Sequence, residues 1–294
     1  MSTRPATHGV VSLAALDLRR VPDHRGELDS QLLTGEIVRV LGASRDRGWL
    51  RVENLSDGDR GWVRAWGVVL ATHARALRWM HRARARVAVS YVEVRGGGRM
   101  DPLVSPLVWG ARVIAGPTRS GMRSVELPDG RRGRAPASAF APVSSPGRPS
   151  RGSSRSERRS ARGTLSITER IRELLGVPYL WGGRTPIGMD CSAFTQLVLG
   201  EQGVSLPRDA REQFRICRPL PRAETPRLGD LVFFGSPGKV VGHVGIALGE
   251  GYYAHCRGYV RINSLDENNP LYDKALGRQL RGVRRASRGP ARRV

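Results

Sequence analysis

The chemistry of this chain centres on Cys191, within the stretch Leu180–Leu199, LWGGRTPIGMDCSAFTQLVL. Gly and Pro fill its first half. Phe194, Leu197 and Val198 then fall at i, i+3 and i+4, a spacing that predicts a helix starting near Cys191 with one face buried. Asp190 stands where a helix N-cap would stand. A thiol at a first helical turn meets unpaired backbone N–H groups and the positive end of the helix dipole, and both favour a thiolate. A carboxylate on Asp190 works against that if it points at the sulfur. Most lone cysteines in helices are small buried hydrophobes, so a nucleophile reading of Cys191 needs a base.

Histidine is the usual base for a thiol, and the second half of the chain offers two, His243 and His255. Both lie in strand-like segments joined by Gly249-Glu250-Gly251. A three-residue loop there sets Leu248 opposite Tyr252 and residue 245 opposite 255. His243 and His255 then become diagonal neighbours on one face, about 7–8 Å apart. A two-residue loop would send them to opposite faces. The Cys/His/His reading therefore predicts the three-residue loop, with Val244, Ile246 and Leu248 turned to the core. Zinc is the competing chemistry, with Cys191, His243, His255 and Cys256 as ligands. There is no C-x-x-C and no H-x-x-x-H, and the adjacent His255 and Cys256 point to opposite sides of a strand. No metal and no cofactor are expected.

The elements around these residues follow from periodicity. Ser166-Ile167-Thr168-Glu169 has capping-box spacing. Ile167, Ile171, Leu174 and Leu175 make a helical stripe that Gly176 and Pro178 close. After the Cys191 helix and Leu206-Pro207-Arg208-Asp209 comes another short helical stretch. From Gly229 the pattern turns to strands: DLVFFG, VVGHVGIALGEG, YYAHC and YVRI. Helices first and antiparallel strands later is an α+β order. Upstream, Val10–Leu16, Glu36–Leu41, Trp49–Glu53 and Arg60–Trp66 read as short strands of a small barrel or sandwich. A looser second copy follows, in which Gly35 aligns with Gly110 and Asp57-Gly58 with Asp129-Gly130. Gly61-Trp62-Val63 aligns with Gly133-Arg134-Ala135. The layout resembles tandem bacterial SH3-like barrels. Ala71–Arg86 reads as a short helix or a linker between the copies. The organisation expected is one barrel over 8–72, a second over 73–142, a flexible Ser/Arg/Gly linker over 143–163, the Cys/His domain over 164–285 and a basic tail over 286–294.

Formal net charge is +23, and of 49 Lys and Arg only Lys239 and Lys274 are lysines. That bias fits GC-rich coding as well as selection for a partner. It invites non-specific binding to polyanions, but no nucleic-acid recognition motif accompanies it. Three cysteines, Cys191, Cys217 and Cys256, do not make a disulfide framework. The N-terminal residues lack the basic and apolar regions of a secretory signal, and no run is long enough to span a membrane. The expectations are a cytoplasmic location, a monomer, no membrane and no specific nucleic acid.

Pro178-Tyr179-Leu180-Trp181-Gly182-Gly183, Gly188-Met189-Asp190-Cys191-Ser192, Leu206-Pro207-Arg208-Asp209, Gly229-Asp230-Leu231 and Gly242-His243-Val244-Gly245-Ile246 resemble, in order, the motifs of the NlpC-type cell-wall cysteine peptidases. These are papain-like α+β enzymes that hydrolyse peptidoglycan stem peptides. Many relatives continue Asp-Cys-Ser with Gly, where this chain has Ala193. The resemblance covers about Leu165–Val283. It implies Cys191 as nucleophile, His243 as base and His255 as the residue that orients the base. It also implies that Tyr179 lies against the thiol and that the Cys191 N–H helps form an oxyanion hole. Family members with two SH3-like domains cleave after L-Ala-γ-D-Glu in free stem peptides, which implies a peptide substrate from peptidoglycan recycling. Such an exopeptidase needs an anion for the free amine, a role expected of Asp190, and a blocked cleft, to which Trp66 of the first barrel is expected to contribute. Trp181, Ser192, Arg208 and Asp209 complete the expected substrate contacts, Arg208 by meeting substrate carboxylates. Two alternatives stay open: an exported wall endopeptidase with wall-binding barrels, and a non-catalytic protein that binds wall fragments or nucleic acid.

Overall fold

A computed structural model describes residues 7–143 and 165–286, apart from 222–223, 237 and 239. Most of the expected linker and tail, residues 144–164 and 287–294, lies outside the described residues. The chain divides into two compact units, one on each side of the boundary between Thr164 and Leu165.

The N-terminal unit holds two seven-stranded sheets, the first running from His8 to Ala71 and the second from Ala85 to Pro142. Their strand orders are the same once the second set is renumbered, and each has a short 3-10 turn before its last strand, Ala65–Gly67 and Ala137–Ala139. The aligned glycines explain the repeat: Gly35, Gly110, Gly58 and Gly130 all hold positive φ, at turns where a side chain would be strained. A Cβ on Gly35 would also stand 2.1 Å from the Arg112 carbonyl oxygen. Each copy has its own apolar centre, around Val11, Leu18, Val38 and Val63 in the first and Val87, Val94, Val113 and Ala135 in the second. The expected strand Val10–Leu16 is two strands, His8–Val11 and Ala15–Arg19. The break comes at Ser12, whose N–H bonds the Gly67 carbonyl rather than a ladder partner. A polar-looking strand, Leu28–Leu33, was not expected. Between the copies, Thr72 caps a helix over His73–Arg82.

The C-terminal unit is α+β. Helix α1 (Ile167–Leu174) starts on a complete capping box of Ser166 and Glu169. Helix α2 (Cys191–Glu201) and helix α3 (Ala210–Ile216) follow. The strands are β1 (Arg218–Pro219), β2 (Leu231–Phe234), β3 (His243–Gly249), β4 (Tyr252–Arg257), β5 (Tyr259–Ser264) and β6 (Leu280–Arg285). They form one antiparallel sheet in the order β1-β6-β2-β3-β4-β5. Strand β6 was not expected, because its LRGVRR is arginine-rich. Its place between β1 and β2 is secured by Arg285, whose guanidinium pairs with both oxygens of the buried Asp230 at 2.7 and 2.8 Å. Helix α2 packs on β3 and β4. It is buried on nearly every side, from Cys191 to Leu199, rather than on one face. Its first half is small, with Ser192, Ala193 and Thr195, and the buried hydroxyls are hydrogen-bonded, Ser192 to Asp190 and Thr195 to Gln213.

Candidate active site

The site is built on the start of α2. Asp190 is the N-cap, in extended backbone, and its Oδ1 accepts from the Ala193 N–H at 2.8 Å. Gly182, at positive φ, brings its N–H to Asp190 Oδ2 at 3.1 Å, which ties the glycine-rich approach to the helix start. Arg208 closes a bidentate pair with the same carboxylate at 2.9 and 2.5 Å and also donates to Ser192 Oγ, while the Ser192 hydroxyl donates to Asp190. Arg208, Asp190 and Ser192 are all buried. A charge pair taken out of water holds only when its remaining sites are satisfied, and here they are.

Cys191 is the first residue of the helix and is 5% exposed. The backbone N–H groups of Val244 and Ser192 are near enough to act on its thiol. Val244 follows His243, so the sulfur lies against the beginning of β3. Burial pushes the thiol up to about 12, and the Asp190 charge adds to it, while Val244, Arg208 and Ser192 pull the other way. The Cys191 N–H has no acceptor among the described residues, as expected of a first-turn donor.

The two histidines meet on one face, though by a route that differs from the expected one. The loop between β3 and β4 has two residues, Glu250 and Gly251, both at positive φ. Gly249 pairs with Tyr252, and a bulge at Leu248 supplies the extra residue. The register therefore still sets Gly245 opposite His255. The same bulge takes Leu248 out of the core, leaving it half-buried, whereas Val244 and Ile246 are fully buried.

His243 Nε2 lies 2.8 Å from His255 Nδ1, and His255 Nε2 lies 2.9 Å from Asn263 Oδ1. Since His255 takes Nε2, the ring nitrogen of His243 left for other partners is Nδ1. Phe234 packs on the His243 ring at 5.7 Å and Tyr253 on His255 at 5.1 Å. Burial lowers His243 to about 3 and His255 to about 4. Both directions favour neutral rings beside a protonated thiol. Asn263 escaped the sequence reading. Its signal is the next hairpin: Gly258 turns the chain so that Arg257 faces Tyr259 and Tyr253 faces Asn263, which puts Asn263 diagonal to His255 on the same side.

The other expected residues divide. Tyr179 is half-buried, and burial together with the Cys191 and Asp190 charges raises its phenol. Trp181 is 58% exposed beside it. Asp209 is the N-cap of α3, accepting from the Arg211 N–H at 2.7 Å, and is exposed. Trp66 belongs to the N-terminal unit, on its first 3-10 turn, and is 63% exposed. Cys217 and Cys256 are buried, Cys256 with its thiol on the Met189 carbonyl at 3.2 Å. Among the described residues no cluster of His, Cys, Asp and Glu is arranged to hold a metal ion. No helix among them is long and apolar enough to cross a membrane.

Residues 176–281 match the NlpC/P60 family, and residues 18–66 match the bacterial dipeptidyl-peptidase Sh3 domain. The match to the NlpC/P60 family lies within the C-terminal unit. Among curated relatives, it is 34% identical to dipeptidyl-peptidase 6 of Lysinibacillus sphaericus over 125 residues, 40% of this chain and 42% of that protein. It is 37% identical to the gamma-D-glutamyl-L-lysine dipeptidyl-peptidase of Bacillus subtilis over 105 residues, 35% of each chain. The aligned regions thus span less than half the length of these relatives. A solved NlpC/P60 family protein from Bacillus cereus has the same fold, with TM-score 0.76 at 19% identity over 95% of this chain and 99% of that one. Cys191, His243 and His255 all fall inside the span matched to the NlpC/P60 family, together with Asn263.

Proposed function

We propose that this protein is a cysteine peptidase that cleaves peptidoglycan stem peptides between γ-D-glutamate and the diamino acid, releasing L-Ala-γ-D-Glu from free peptides in the cytoplasm during wall recycling. The observation that carries the reading is the hydrogen-bonded file His243–His255–Asn263 beside a helix-start thiol. The names of two relatives, dipeptidyl-peptidase 6 and a gamma-D-glutamyl-L-lysine dipeptidyl-peptidase, support this choice of bond.

The steps follow from the groups present. The Cys191 thiol gives its proton to His243 Nδ1 as sulfur attacks the amide carbonyl carbon. The Cys191 N–H and the positive end of α2 stabilise the oxyanion. The C–N bond breaks as His243 returns the proton to the leaving amine. Water, deprotonated by His243, then releases the acyl group from sulfur. His255 holds the base in orientation and accepts from its Nε2–H while the ring is charged.

The test is mass spectrometry of the protein with L-Ala-γ-D-Glu-meso-diaminopimelate and, separately, with its N-acetylated form. Release of L-Ala-γ-D-Glu from the free tripeptide alone is expected. Equal cleavage of both would replace the exopeptidase with an open-cleft endopeptidase. The amine requirement is worth a separate arm because Asp190 already accepts from Arg208, Ser192, Ala193 and Gly182. Cys191→Ala is expected to lower turnover on the order of 10⁴-fold or more with the fold intact. Retained turnover in that variant would end the mechanism.

A further inference from the structure

Asn263 is joined to more than His255. Its Nδ2 donates to the Leu271 carbonyl at 2.6 Å. A backbone carbonyl only accepts, so the amide end that faces it must be the NH₂ end. The other end, Oδ1, then faces His255 Nε2 at 2.9 Å and can only accept. His255 Nε2 must therefore carry a hydrogen. A neutral imidazole has one hydrogen, so His255 Nδ1 presents a lone pair to His243 Nε2, 2.8 Å away. His243 Nε2 must in turn carry its hydrogen, and its Nδ1 is bare. We propose that Asn263, anchored on the Leu271 carbonyl, sets the proton polarity of the whole file and so fixes His243 in the tautomer whose Nδ1 can take the Cys191 proton.

The reversed file fails at a definite place. If His243 carried its hydrogen on Nδ1, its bare Nε2 would require His255 to donate from Nδ1. His255 Nε2 would then be a lone pair facing the lone pairs of Asn263 Oδ1. His243 is half-buried, but the clash falls on His255, which is fully buried, and there an unmade hydrogen bond is at its most costly. Asn263 can relieve the clash only by turning its amide over, and that would set Oδ1 against the Leu271 carbonyl. No proton leaves Asn263 at any stage, so it is a positioning residue acting through His255. Without this anchor a pair of neutral histidines has two self-consistent directions, and one of them offers the thiol an N–H instead of a base.

The inference rests on the peptidase reading for its consequence, and its first test is independent of turnover. Long-range ¹⁵N–¹H correlation of histidine-labelled full-length protein at pH 7, without substrate, reports the tautomer of each ring. Both His243 and His255 are expected as Nε2–H. An Nδ1–H form of either ring in the unmodified protein overturns the proposal, whatever the protein cleaves. Asn263→Leu keeps the volume and removes the acceptor. It is expected to populate Nδ1–H on both rings and to lower kcat at least about tenfold, with KM nearly unchanged. Asn263→Asp still offers His255 an acceptor in either protonation state, and when protonated it also donates to the Leu271 carbonyl, which an ionised carboxylate does not. It is expected to keep both rings Nε2–H and to restore kcat to within a few-fold of the parent. Its acid limb is expected at higher pH, because a carboxylate favours a charged His255. The groups that also act on His255 are Arg257, Arg261 and Asp273, with Tyr253 and His243 in ring contact, and none is changed in these variants. Unchanged tautomers and kcat in Asn263→Leu would refute the role. If that variant does not fold, the unmodified protein and Asn263→Asp still decide the question.

Discussion

Burial pushes Cys191 up and His243 down, and the two shifts together make the resting site a neutral thiol beside a neutral imidazole. An ion pair would instead require each buried charge to be stabilised by the other. The difference is measurable. Iodoacetamide alkylation of Cys191 is expected to be slow at pH 5 to 7 and to rise towards high pH, because the thiol ionises near 12 in the closed site. A rate already on its plateau at pH 5 would mean a standing thiolate–imidazolium pair. The same burial has a stability consequence of definite sign. His243 and His255 have folded values near 3 and 4 against an ordinary 6.5. Between those limits the unfolded chain binds protons that the folded chain does not, so stability falls as pH drops from about 6.5. Turnover per folded molecule is expected to hold over that window, because the base stays neutral. Activity corrected for the folded fraction by circular dichroism separates the two effects.

At the scale of the element, the start of α2 is held by one buried carboxylate with many donors. Asp190→Ala removes the cap and takes the carboxylate away from the buried Arg208, a change that typically costs about 3–5 kcal/mol. Replacing Arg208 by Met in that background is expected to return much of the loss, since the uncompensated charge is gone. Urea unfolding of the two variants checks this, and equal stability of both would mean that Asp190 and Arg208 do not act as a buried pair. Much of the two helix starts was legible in sequence: Asp190 as cap of α2, Cys191 at its first turn, and the Ser166–Glu169 capping box of α1 all follow from local spacing. What escaped depends on long-range pairing. The arginine-rich β6 does not read as a strand until Asp230 is known to receive Arg285. The hairpin of β3 and β4 reads as a three-residue loop, and its alignment is instead produced by a two-residue turn and a bulge at Leu248, two departures that cancel in register. Asn263 was reachable by the same hairpin arithmetic that aligned His243 with His255, carried one strand further.

At the scale of the whole molecule, the charge of +23 is the property least explained by the site. Arginines form many of the ion pairs, on the surface with Asp17, Glu27, Asp29 and Asp129 and in the interior with Glu201, Asp190 and Asp230. There are 26 acidic residues for 49 basic ones, so a large cationic excess faces solvent. A field of that sign draws in polyanions without reading their sequence. Binding to random-sequence duplex DNA is therefore expected at low salt and is expected to fall at least about tenfold between 50 and 200 mM salt. It should not distinguish one duplex from another, and saturating duplex should leave cleavage of the free tripeptide unchanged at 200 mM salt. Fluorescence anisotropy with two unrelated duplexes across a salt series makes the comparison. Tight, salt-resistant binding that prefers one sequence would give the arginines a partner of their own and would favour the nucleic-acid-binding reading over an enzyme with an arginine-rich surface.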